Sequence, residues 1–171
     1  MMLEFSTHWP DRMPKHMAGH PTYFSEKILE TLLRDKFIKV PKADWSKYLI
    51  GTPASNYIIG SKQGKLHTIR RDKLKQWKKG MDIHFVINHF SPQRFQFAPV
   101  IKCTGTQKLE IRYTDPDGYK YAEPRVYIDG LWITNVEQLA TNDGFDSVAD
   151  FFAWFRKDFT GKIIHWTDFR Y

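Results

Sequence analysis

Between Met81 and Ile128 the chain offers one short, half-apolar segment after another, each ended by a turn signal. Ile83, Phe85 and Ile87 alternate with His84, Val86 and Asn88, the period of a strand with one face in a core. Phe97 to Cys103, Lys108 to Tyr113 and Arg125 to Ile128 carry similar strand-like material. Asp115-Pro116-Asp117-Gly118 and Asp129-Gly130 supply turns between them. About five strands joined this closely predict a mostly antiparallel sheet. A small closed or nearly closed barrel is its economical form, because closure removes exposed edges.

The flanks read as helices and irregular chain. Residues 1–21 are punctuated by Pro10, Pro14, Gly19 and Pro21 and predict no regular element. A helix is expected near 22–34, where Phe24, Ile28, Leu29 and Leu32 form an apolar stripe. Phe37, Ile38 and Val40 suit a short strand. Trp45, Tyr48, Tyr57, Ile58 and Ile59 make the following stretch a packed, loop-rich segment rather than a linker. Asp72 is placed to cap a short helix through Leu74 and Trp77 that Gly80 ends. Val136 to Thr141 reads as helix. Ser147, with Asp150 three residues on, opens another near 147–159, bearing Val148, Phe151, Phe152, Phe155 and Phe159. Ile163 to Trp166 follows Gly161 as a last strand.

Composition narrows the classes of partner. A formal charge of +7 over 171 residues favours an anionic partner such as RNA or DNA. Aromatic content of 16% excludes a disordered chain. Cys103 is the only cysteine, so no internal disulfide forms and a reducing, cytoplasmic setting is expected. No apolar run approaches a membrane span, and no membrane partner is expected. His16 and His20 stand four apart without acidic or cysteine partners at ligand spacing, so neither a metal nor another cofactor is assigned. The sequence assigns no oligomeric state.

Chemistry-bearing residues are densest from Gly64 to Arg71, where Lys65, His67, Thr68, Arg70 and Arg71 interleave with Leu66 and Ile69. As a strand, this stretch puts Leu66, Thr68 and Arg70 on one side and Lys65, His67 and Ile69 on the other. Neither side is wholly apolar. The segment reads either as an edge strand with solvated charges or as the wall of a site.

These residues carry a family resemblance. Gly64, Lys65, Thr68, Ile69 and Arg70 match the G-(x)-K-x-x-T-x-R signature of ASCH domains, small barrels of the PUA-like superfamily. Ala140, Asp143, Gly144, Phe145 and Ser147 are similar to that family's A-x-x-(D/E)-G-F-x-S helix entry, and Trp77 to Asp82 resembles its W-x-x-G-D turn. The implied fold class is α+β: a PUA-like, mostly antiparallel β-barrel with flanking helices over residues 60–171. Residues 1–59 have no counterpart in the compact members of that family; by pattern they are a helical and loop elaboration, too small to hold its own core and so expected to pack on the barrel.

The implied function is a basic barrel cleft that binds RNA or a modified nucleoside. The alternatives are an amidohydrolase removing an acyl group from a modified nucleobase such as N4-acetylcytidine, a ribonuclease, or a protein-interaction module. In the amidohydrolase version, Lys65 is implied as proton acceptor, Thr68 as nucleophile and Asp143, in place of the family's glutamate, as proton donor. Arg70, His67 and Arg71 are the substrate-binding candidates. A threonine hydroxyl needs an adjacent base, and a lysine serves only where burial or a nearby cation depresses its pKa. That demand places Lys65 in the turn before the strand, with Gly64 supplying an unusual backbone angle.

Overall fold

The short half-apolar segments do form strands, but the sheets they build stay open. The computed structural model describes residues 1–35, 37–39 and 64–171. Phe37 and Ile38 of the expected short strand form a bend instead, and Val40 and the packed segment from Trp45 to Ile59 lie outside the described residues. In chain order the elements are β1 (Met2–Glu4), α1 (Phe24–Arg34), β2 (His67–Arg70), β3 (Asp82–Ile87), β4 (Phe95–Gln96), β5 (Ile101–Lys102), β6 (Gly105–Thr114), β7 (Lys120–Ile128), β8 (Leu131–Ile133), α2 (Val136–Asn142), α3 (Val148–Trp154) and β9 (Phe159–His165). They fall into two compact units. One takes residues 1–65 and 81–102, the other residues 66–80 and 103–171.

In the first unit, β1 runs parallel to β3, which pairs antiparallel with both β4 and β5. Phe5, Phe85 and Phe97 meet there with ring centroids about 6 Å apart and are almost completely buried. β1 falls where irregular chain was expected, since three residues are too few to show a period. Helix α1 buries Phe24, Ile28, Leu29 and Leu32 as its stripe predicts, and Trp9 packs edge-on against Phe24 at 5.1 Å.

The second unit is a five-stranded antiparallel sheet in the order β2-β9-β6-β7-β8. Register fixes its faces. His67, His165 and Gly105 form one cross-strand row and Ile69, Ile163 and Gln107 the next, followed by Gly161, Leu109 and Ile128. This face is covered by helices, with Phe155 of the α3 end 4.8 Å from Phe159 and the Tyr113 hydroxyl donating to Phe155 O at 2.6 Å. The opposite face carries the rows Arg70–Lys162–Lys108, Thr160–Glu110–Tyr127–Trp132 and Arg112–Arg125.

The expected PUA-like β-barrel is therefore corrected: β2 and β8 remain separate edges, and neither described sheet closes on itself. The edge problem is solved in other ways. β8 is only three residues long, while Leu66 N donates to Asn142 O and Ile69 N to Asp143 Oδ1, occupying the free side of β2. Two local expectations change as well. Asp72 does accept backbone N–H groups, from Gln76 and Trp77, but over a tight turn with Lys75 at φ 51° rather than a helix. Helix α3 ends at Trp154, and Phe159 begins β9.

The Ser147 cap forms as read, its hydroxyl accepting from Asp150 N at 3.1 Å. Asp129 (φ 50°) and Gly130 (φ 86°) make the two-residue β7–β8 turn, whose positive angles suit the twist of a hairpin. Gly130→Ala is expected to lower stability by about 1 kcal/mol, read as a fall in Tm with unchanged far-ultraviolet circular dichroism.

Candidate functional site

A groove of about 770 Å³ opens on the second unit, lined by Arg71, Asp72, Lys73, Lys75, Lys108, Asp158, Thr160, Gly161 and Lys162. Five of these residues are cations and two are carboxylates. The turn after β2 forms one wall. Asp72 anchors it by accepting from Gln76 N (2.8 Å) and Trp77 N (3.1 Å) and by pairing with Lys162 Nζ (2.9 Å). Lys162 also donates to Trp77 O at 3.1 Å, and the Trp77 side chain is buried. Burial works to raise the Asp72 pKa, but the Lys162 and backbone hydrogen bonds outweigh it and hold the carboxyl below its ordinary value. Held in this way, the turn presents Lys73 and Lys75 on a fixed base, both exposed.

The floor comes from β9 and β6. Arg70, Lys162 and Lys108 stand directly opposite one another across three strands. Like charges in such register repel, and carboxylates offset part of the cost. Lys162 has Asp72, and Lys108 pairs with Glu110, which Arg112 also contacts. Hydrogen bonds from Lys108 and Arg112 lower the Glu110 pKa. Arg71 lies over the Phe159 ring at 5.4 Å. Gly161 is required for space, since a Cβ there would sit 2.5 Å from Arg70 O.

Farther along the same face, cations alternate with aromatic rings. Arg112 stacks over Tyr127 at 4.8 Å, and Arg125 lies over Tyr121 at 4.1 Å and Trp132 at 5.4 Å. Trp132 is 59% exposed, although it is a large aromatic in a sheet. Its neighbour in the register is Tyr127.

The residues singled out by sequence are distributed as follows. Lys65 belongs to the first unit, where it is buried with its ammonium 4.7 Å from the Phe24 ring centroid and its N–H donating to Lys27 O. Thr68 and Arg70 share the face of the cationic row, with Thr68 buried. His67 lies on the helix-covered face, 3.7 Å from Asp143 Oδ1 by its Nδ1. Arg71 alone of the six lines the groove. Gly64 is present for space rather than for a left-handed backbone: it has no positive φ, and a Cβ would fall 2.0 Å from Thr31 Oγ1. Lys73, Lys75, Lys108 and Lys162 were not singled out. The signal for the first two was present in residues 70–79, which hold six lysines and arginines against one aspartate.

The expected barrel cleft for RNA or a nucleoside is corrected with the fold. The described sheets are open, so no barrel cleft exists to hold such a ligand or to host the acyl-removal and RNA-cleavage alternatives built on it. Among the described residues no cluster of histidine, cysteine, aspartate and glutamate is arranged to hold a metal ion. No helix among them is long and apolar enough to cross a membrane. The chain matches no family model, no curated protein and no solved structure.

Proposed function

We propose that the second unit is a binding module for a phosphate-bearing ligand, a nucleotide or a single RNA strand, held on the open face of its sheet. The groove carries this reading, with five cations to two carboxylates around about 770 Å³. One of those carboxylates, Asp72, is already engaged by Lys162. Lys73 and Lys75 form no ion pair among the described residues and remain available to an anion. The Arg112, Arg125, Tyr127 and Trp132 surface supports a ligand that also carries planar bases, which stack on aromatic rings and guanidinium planes. A cytoplasmic setting belongs to the same proposal and suits a chain whose one cysteine is buried and unpaired.

Fluorescence anisotropy with a labelled ten-nucleotide RNA, competed by tripolyphosphate and by ATP, tests the reading. Binding should weaken steeply between 50 and 200 mM salt, with a log–log slope near about −0.7 for each phosphate contacted. Lys75→Ala should cost about 5-fold in affinity, close to 1 kcal/mol. Saturable binding that ignores salt, or no binding of any of the three ligands, would remove the proposal.

A further inference from the structure

The most unusual polar group in the second unit lies away from the groove. His165 is completely buried on the helix-covered face, and neither ring nitrogen has a hydrogen-bond partner among the described residues. In its cross-strand row stand His67 on one side and Gly105 on the other. The two imidazoles meet edge-on with centroids 5.4 Å apart. Gly105 has no side chain, and the Arg170 guanidinium fills that space, 2.6 Å from where a Cβ would be. A proton on His165 would therefore place a buried cation between an imidazole and a guanidinium.

After β9, Trp166 and Thr167 are buried, and residues 168–171 are held by polar contacts rather than by a strand ladder. Thr104 Oγ1 donates to Thr167 O, and Arg170 donates to Thr167 O (2.9 Å) and Thr104 Oγ1 (3.1 Å). Gln107 clamps Tyr171, accepting from its N–H at 3.1 Å and donating to its O at 3.2 Å. Asn142 Nδ2 donates to the Tyr171 hydroxyl at 3.0 Å, and that hydroxyl is hydrogen-bonded to His67 Nε2 at 2.8 Å. The other ring nitrogen of His67, Nδ1, faces Asp143 Oδ1 at 3.7 Å. Burial pushes the Tyr171 phenol up, so it stays a donor.

We propose that His165 is the trigger of an acid-opened latch, whose protonation frees residues 168–171 from the helix-covered face of the sheet. The titratable and charged groups facing the imidazole are His67 from β2, Arg170 and Tyr171 from the latch itself, and Asp143 beyond His67. Among the described residues facing the row, only Asp143 would favour a charge on it, and it stands next to His67 rather than His165. Burial, then His67, then Arg170 depress the His165 pKa to about 3. Once exposed to water the imidazole titrates near 6.5. The sign follows: the closed form is favoured above about pH 6.5 and loses that advantage as the pH falls toward the depressed value. Between pH 7.5 and 5 the opening constant should rise about 30-fold.

Native-state hydrogen exchange on the full chain, corrected for intrinsic rates at each pH, reads this directly. The Tyr171 and Phe169 amides should exchange faster than those of Leu109 and Ile111, without dependence on low urea, and about 30-fold more at pH 5 than at pH 7.5. His165→Leu, or His165→Asn if the leucine chain does not fold, should abolish that ratio. Tyr171→Phe should raise opening at both pH values and leave the ratio intact. The latch is wrong if the Tyr171 amide shares the urea dependence of Leu109, if its protection is equal at the two pH values, or if the ratio survives loss of His165.

Discussion

Gly64→Ala is expected to destabilise the first unit by about 1–3 kcal/mol, the usual range for forcing a methyl group into packed space. A Cβ at this position would lie 2.0 Å from Thr31 Oγ1, 3.2 Å from Lys27 O and 3.3 Å from Thr31 Cβ. None of these neighbours moves freely. Thr31 is fully buried on α1, and its hydroxyl donates to Lys27 O at 3.0 Å. Lys27 O also accepts from Lys65 N at 3.2 Å, so the helix and the chain entering residue 65 share one carbonyl. Pushing Gly64 away would strain that bond and shift the buried Lys65 relative to Phe24. Thr31→Ala tests the cause. Alone it should cost about 1 kcal/mol for its lost hydrogen bond. Combined with Gly64→Ala it should restore part of the stability, giving a favourable coupling of at least about 0.5 kcal/mol in urea melts. If instead Gly64 is needed for an unusual backbone angle, the two losses would add.

This case shows how far the sequence could be read. The stretch from Gly64 to Arg71 was legible as a strand with neither face wholly apolar, and β2 does place His67 and Thr68 on opposite sides. Turn chemistry was legible too, because Asp129-Gly130 and Ser147 act through their own backbone and neighbours. Whether an edge closes or is capped was not. Asp143 reaches Ile69 N from seventy-four residues away, and no local pattern records that contact. The helix expected after Asp72 failed for a related reason. A capping aspartate satisfies the N–H groups of a turn as well as those of a helix, and here the pairing with Lys162 fixes the turn. The groove was half visible. Its lysines at 73 and 75 sit in an evident basic run, whereas Lys108 and Lys162 join them only through strand register.

Reversing Lys73 and Lys75, which form no ion pair among the described residues, should give the largest effect on binding. Lys73→Glu/Lys75→Glu is expected to weaken an RNA ten-mer about 100-fold at 50 mM salt, or about 1.4 kcal/mol per position. Each change removes an attraction to phosphate and adds a repulsion on an exposed wall, where water keeps both terms modest. The salt slope should become shallower by about 1.4, two contacts at about 0.7 each. Folding should hardly notice. Both side chains are exposed, and the turn that carries them is anchored by Asp72, Trp77 and Lys162 rather than by the lysines themselves. Tm should therefore stay within a few degrees of wild type. Lys15→Glu, an exposed reversal in the first unit, supplies the comparison. It changes net charge by the same amount per residue as either groove substitution. If general basicity drove association, Lys15→Glu would weaken binding as much as either single groove reversal. A site built on the anchored turn predicts at most a twofold change for Lys15→Glu, against about 10-fold for Lys75→Glu alone. A double reversal that still bound RNA within threefold of wild type would show that the groove is not where the anion sits.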